Sequence, residues 1–298
     1  MRPAWSVILL TTLIGAGQGL YLALAAADAF GEAPARFFVA GAAVSLVLLA
    51  GGLVASFFHL GHPERAWRSA AMWRTSWLSR EVIVLPLFMA AVFAWAVAHW
   101  LQMKTLWFNV VAVMLAIALF VCTGMIYACL KFLQEWHTPL TPLNYTLLGC
   151  ASGLTAAAAM AAWLHPPLAP AYAAAALAAG ALAYLARLAA LARNARLRPK
   201  STPATAIGVK HPRIAQIAQG AMGGSFNTRE FFHGRPREVV RAARWAFLAL
   251  VFPLPALFLV SGFPIPAFLL QFAGLLAERW YFFAEARHPQ NLYYQAIA

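Results

Sequence analysis

The sequence predicts an all-α, polytopic membrane protein of eight transmembrane helices, on three observations. Hydrophobic residues make up 63% of the 298-residue chain and charged residues only 10%, a balance outside the range of ordinary soluble domains. Eight apolar segments recur along the chain, most of them near the ~20 residues a helix needs to cross a hydrocarbon core. The basic residues fall almost entirely on alternate connections between those segments. The apolar runs are continuous rather than alternating, so helices are expected and not the short strands of a barrel.

The first segment, Ala4–Ala27, ends in a small-residue stretch (Leu22 to Ala27) that is similar to a signal-peptide cleavage site. Its apolar run is longer than a signal core, so it is read as a spanning helix. Phe37–His59, Val82–Leu101 and Trp107–Leu130 follow as three plain spanning segments. The next two, Leu143–Leu164 and Ala171–Leu191, are rich in alanine, which permits close backbone approach between helices. Trp245–Gly262 and Pro266–Ala284 are the shortest, and Pro253, Pro255 and Pro266 predict kinks there. The whole chain, 1–298, reads as one integral membrane domain.

Charge predicts the orientation. With eight crossings, both termini share one side with the connections after segments two, four and six, and that side holds twenty of the 22 Lys and Arg residues. Only Arg36 and Lys104 fall opposite. By the positive-inside rule both termini are cytoplasmic. The net charge of +13 therefore belongs to one face, where it meets anionic lipid rather than nucleic acid. The longest connection, 193–244, combines a Pro- and Arg-rich start with the glycine-rich stretch Gly220–Arg229 and the aromatics Phe231 and Phe232. Long loops of this composition carry function, and this one is expected to dock a cytoplasmic subunit.

Chemistry concentrates in the connection after segment two. It opens with His59-Leu60-Gly61-His62-Pro63-Glu64-Arg65 and closes with Trp77-Leu78-Ser79-Arg80-Glu81. His59 and Glu81 each sit where an apolar run stops or starts, at one membrane surface. Reducing a quinone consumes two electrons and two protons, so each carbonyl oxygen needs a proton donor nearby. A histidine and a partly desolvated glutamate can both be tuned to supply one. His59 is expected to partner one carbonyl and Glu81 to relay protons to the cytoplasm. Arg65 would neutralise Glu81 or position the head group, and Trp77 would wall the pocket.

Tyr127, near the cytoplasmic end of segment four, could line the same cavity, although interfacial aromatics are common without one. Glu278, beside Arg279 inside segment eight, reads as an internal ion pair, as the partner of another arginine, or as a quinone or proton-path residue, because intramembrane ions are costly. Three scattered cysteines, Cys122, Cys129 and Cys150, cannot ligate an iron–sulfur cluster. His99 and His165 at the far ends of segments three and five suit interfacial capping better than a haem. No zinc or phosphate-binding motif is present, so any metal centres are expected in partner chains.

The stretch from His59 through Ala66, continuing through Ser76 to Glu81, resembles the signature of the dimethyl sulfoxide reductase anchor-subunit family, with the same histidine-to-glutamate spacing of 22 residues. The resemblance implies an eight-helix quinone-binding protein that holds an iron–sulfur subunit and a molybdopterin catalytic subunit at the membrane, without haem of its own. It assigns His59 and Glu81 to the quinone, which would be ubiquinone or menaquinone. The segments Thr123–Ala128 and Gly224–Phe232 are similar to the branch that anchors cytoplasmic sulfite dehydrogenases. The expected function is the non-metal membrane subunit of an oxidoreductase that reduces quinone during sulfite oxidation. Two alternatives stay open: a quinol-oxidising anchor of a sulfoxide or polysulfide reductase, and a proton-translocating or transport protein. The central thirds of the segments hold almost no protonatable groups, which disfavours the second.

Overall fold

The computed structural model describes residues 1–218 and 230–294, and within them every regular element is helical. Six long helices come first: α1 (Trp5–Phe30), α2 (Ala35–Phe57), α3 (Trp77–Trp100), α4 (Leu106–Ala128), α5 (Leu140–Leu164) and α6 (Ala169–Ala195). After a short α7 (Pro203–Ile207) come α8 (Arg237–Val251), α9 (Pro253–Val260) and α10 (Pro264–Glu285). The glycine-rich part of the expected docking loop, 219–229, lies outside the described residues.

Helix α1 is the axis of the bundle, packing against α2, α4, α5 and α10. Its closest neighbour is α5, and glycine makes that approach possible. A Cβ built on Gly153 would stand 1.9 Å from the carbonyl carbon of Gly19, and one on Gly19 would stand 2.0 Å from the Gly149 oxygen. The alanine-rich register expected for close packing is therefore used on α1 as well as on α6. Helices α2, α3 and α4 wrap the other side of α1, and Tyr21, fully buried, meets Phe88 and Trp95 of α3 edge-on at 5.5 and 5.2 Å.

Two boundaries differ from expectation for local reasons. Helix α3 begins at Trp77, because the Ser76 hydroxyl accepts the Ser79 backbone N–H at 3.3 Å and caps it. Glu81 is thus one turn inside the helix rather than before it. The seventh segment begins at Arg237 and is broken at Phe252, with Pro253 and Pro255 opening α9, the interruption that the prolines predict.

Seven rods in the described residues are long and apolar enough to cross a membrane: α1 to α6, and α8 with α9. The expected eighth, α10, has 22 residues but carries Glu278, Arg279 and Glu285, which keeps it out of that group on composition.

Candidate functional site

The Ser76 cap and the first turn of α3 aim Glu81 into the bundle, where it is buried. Its Oε1 accepts a hydrogen bond from the Thr123 hydroxyl on α4. Its other oxygen carries no partner among the described residues, so it can meet a ligand. One turn beyond Thr123, Tyr127 opens an aromatic cluster: its ring stacks on Tyr145 at 5.4 Å and meets Trp136 at 5.3 Å and Phe282 at 5.3 Å. Thr123 and Tyr127 lie one turn apart on α4, which sets the Glu81 carboxyl beside this cluster. The Trp136 indole N–H, donating to the Phe282 carbonyl at 3.1 Å, ties the α4–α5 connection to α10.

Behind Tyr145 lies a buried charge cluster. The Arg279 guanidinium covers the Tyr145 ring at 3.7 Å. Glu278 bridges Arg279 at 3.1 Å and Arg187 of α6 at 2.8 Å. Arg187 is only 3% exposed and Glu278 1%. Of the open readings of Glu278, the ion pair with Arg279 and the one with another arginine are both present.

The other expected site residues lie further out. His59 is exposed in the turn that follows α2, and partial burial holds its imidazole below the usual 6.5. Among the described residues no hydrogen bond or ion pair joins it to Glu81. Arg65 does not neutralise Glu81: it is exposed and pairs at 3.7 Å with Glu64, which also holds His62 at 3.0 Å. An exposed loop cation finds its sequence neighbour before it can reach a carboxylate inside a helix. Arg80 organises that loop instead, donating to the carbonyls of Trp73 at 2.9 Å and Arg74 at 2.8 Å while stacking 4.3 Å over Trp77. Trp77 is half-buried under that guanidinium.

Sequence reasoning missed Thr123, Tyr145 and Arg187 as neighbours of the site. A usable signal existed for each, since a hydroxyl or a cation inside an apolar segment needs an internal partner. It also missed Asp28 at the opposite end of the bundle. Asp28 accepts from the Trp95 indole at 2.9 Å and the Asn109 amide at 3.0 Å, and contacts His99 at 3.2 Å. His165 instead contacts the Glu32 carbonyl at 3.2 Å. The two histidines weighed for a haem are thus engaged separately.

Residues 1–208 match the model of the DMSO reductase anchor subunit (DmsC). The chain belongs to this family. It is also 55% identical, over 325 aligned positions that cover all of both chains, to the C subunit of the sulfite dehydrogenase of Allochromatium vinosum. The family match spans the first six helices and with them His59, Glu81, Thr123 and Tyr127. The rest of the charge cluster, on α10, is covered by the full-length relative.

Proposed function

We propose that the chain is the membrane anchor and quinone-reactive subunit of a molybdopterin and iron–sulfur oxidoreductase on the cytoplasmic face, and that it delivers electrons to quinone during sulfite oxidation. The observation that carries this reading is the buried Glu81 carboxyl, held by Thr123 through one oxygen and open at the other, at the start of α3. A carboxyl so placed can hand a proton to a quinone oxygen. The residues fit such a substrate: a proton-bearing group, the half-buried Trp77 ring as an apolar wall, and His59 at the rim for the second oxygen. Oxidising sulfite with water releases two electrons and two protons, and reducing a quinone to a quinol consumes the same numbers. The metal centres belong to the partner subunits. The full-length identity to a sulfite dehydrogenase subunit supports the substrate of the complex.

Eight crossings are part of this proposal. The Met1 ammonium donates to the Ala286 carbonyl at 2.8 Å, so the start of the chain meets the end of α10, as an even number of crossings requires. The Arg2 amide donates to the Glu230 carbonyl at 3.0 Å and brings the end of the docking loop to the same place. At ~1.5 Å per residue, the 22 residues of α10 span about 33 Å, and its ions face protein rather than lipid. By that count Arg193 and Arg244, the ends of the loop, fall on the same side of the membrane as the hairpin of His59 and Glu81, where an iron–sulfur subunit would deliver electrons.

The test is a tagged purification from native membranes in mild detergent, with molybdenum and iron measured on the eluate, followed by sulfite–quinone turnover. Both metals with two larger subunits are expected, and Glu81→Gln and His59→Gln complexes should lose quinone-linked turnover while keeping dye-linked sulfite oxidation. Normal quinone turnover in both variants would refute the site.

A further inference from the structure

The charge cluster behind Tyr145 encloses a cavity of ≈ 10 Å³ lined by Glu135, Asn144, Tyr145, Arg187, Asn194 and Glu278, among others. That is the room one water centre occupies. Several buried polar atoms around it lack an aligned hydrogen-bond partner among the described residues, the Tyr145 hydroxyl, Asn144 Oδ1 and Arg187 Nη2 among them. Their residues are 4%, 5% and 3% exposed, and orphans so deeply buried cost about 1–3 kcal/mol each unless something satisfies them.

The chemistry of the set selects the occupant. Arg187 Nη2 can only donate, Asn144 Oδ1 can only accept, and the Tyr145 hydroxyl does both. An anion would meet Glu278 and Glu135, while a cation would meet Arg187 and Arg279. Glu285, which accepts from the Tyr281 hydroxyl at 3.3 Å, and Arg193, which donates to Asn194 at 2.9 Å, add one further charge of each sign. Water, donating and accepting at once, fits; a free ion does not.

The cavity also has two ends. Glu135 and Asn194, both partly exposed, form a mouth at the end of the bundle that carries the docking loop. At the inner end Tyr145 stacks on Tyr127, which is one turn from Thr123, the donor to Glu81. We propose that this cavity is a hydrated proton inlet, leading from Glu135 and Asn194 past Arg187 and Glu278 to Tyr145, Tyr127 and Glu81. The inference rests on the reading of Glu81 as the quinone's proton donor and adds the route by which that donor is refilled. Water in the cavity takes a proton from bulk solvent at the Glu135 mouth and passes one to the Tyr145 oxygen, as the Tyr145 hydroxyl releases its own to Tyr127 and the Tyr127 hydroxyl releases its own toward Glu81. The sequence ends with reprotonation of the Glu81 carboxylate. Electrons come separately, two per quinone, from the reduced iron–sulfur partner, so each quinol formed draws two protons through the inlet. Glu278, fixed between Arg187 and Arg279, is a positioning residue that orients the water.

Tyr145→Phe tests this in the assembled complex, because it removes one hydroxyl and keeps the ring between Tyr127 and Arg279. Asn144→Leu is the second variant, removing the acceptor that the neighbouring residue of α5 supplies. Expected in each is a fall in quinone-linked kcat of about tenfold or more, below the ~10²–10⁴ of a fully positioned acid–base group because water can bypass one hydroxyl. The solvent deuterium isotope effect on that kcat should rise, with the KM for quinone and dye-linked sulfite oxidation unchanged. Unchanged kcat and isotope effect in either assembled variant would overturn the inlet. Failure of the quinone site itself reads differently, as full activity in Glu81→Gln.

Discussion

Thr123 on α4 donates its hydroxyl hydrogen to a carboxyl oxygen of Glu81 on α3, joining residues 42 positions apart at the point where the bundle interior meets the hairpin of His59. Losing one partner of a buried hydrogen bond leaves the other unsatisfied, at a cost of about 1–3 kcal/mol. Thr123→Val, similar in shape, should therefore lower the melting temperature of the detergent-solubilised complex and reduce quinone-linked turnover. Thr123→Ser keeps the donor and should retain both. Equal turnover in the Val and Ser variants would show that Glu81 does not depend on this bond.

Arg187 and Glu278 lie 2.8 Å apart with both side chains almost fully buried. Removing one member strands the other, at a cost of roughly 3–5 kcal/mol. Arg187→Met and Glu278→Gln should each destabilise the complex strongly. The double variant should lose about 1–3 kcal/mol less than the two singles together. A double-mutant cycle on thermal unfolding checks this, and strict additivity would mean that the pair is not coupled.

Much of the fold was legible because a membrane demands long apolar runs, and Pro253 and Pro255 mark the break inside the seventh; the Ser76 cap that starts α3 was not read. Contacts between helices far apart in sequence were not legible. Arg187 counts by position among the basic residues that set orientation, yet it points inward to Glu278, 91 residues on. Which interior polar group meets which depends on how α3, α4, α5, α6 and α10 assemble, and hydropathy carries no record of that. Local pairing misled in the opposite direction at Arg65. Nothing in its spacing says that Glu64, its immediate neighbour, takes the charge meant for Glu81. His59 and Glu81 were singled out because both stand at segment ends, where ionisable groups are conspicuous.

Asp28 gathers donors from α3 and α4 onto the end of α1: the Trp95 indole, the Asn109 amide and the Thr105 hydroxyl at 3.4 Å. Asp28→Ala should cost about 3 kcal/mol, since several buried donors lose one acceptor together. The cluster lies at the far end of the bundle from Glu81. Quinone turnover per assembled complex should therefore stay at the wild-type level while the melting temperature falls. A turnover loss without a stability loss would assign Asp28 a role in the reaction.

At the α1–α5 crossing, the atoms that a Gly153 Cβ would strike are backbone atoms of Gly19 and Leu20, 1.9 and 2.1 Å away. They cannot rotate aside as a side chain can, so Gly153→Ala must push the two helices apart. Overpacking of this kind typically costs about 1–3 kcal/mol. The control is Gly180→Ala on α6, where nothing lies within 4 Å of the added carbon. Yield and melting temperature should fall for the first variant and hold for the second. Equal behaviour would mean that the crossing is looser than its geometry.

His59 has the environment to set an acid limit on quinone turnover. Partial burial lowers its pKa below the ordinary 6.5, so the folded protein holds a proton there less tightly than the unfolded chain does. The sign follows from linkage: as pH falls below 6.5 the unfolded state gains the proton first, so the penalty on the folded state grows until the lower folded pKa is reached and stays constant below it. Above 6.5 both states are neutral and the term vanishes. A neutral imidazole, able to accept as well as donate, is therefore the resident form at neutral pH. Quinone-linked turnover measured across roughly pH 5–8 should show an acidic limb with its midpoint below 6.5. In His59→Gln, which keeps an amide donor but cannot titrate, the limb should disappear from the residual turnover. A midpoint at or above 6.5, or a limb that survives in His59→Gln, would assign that proton to another group.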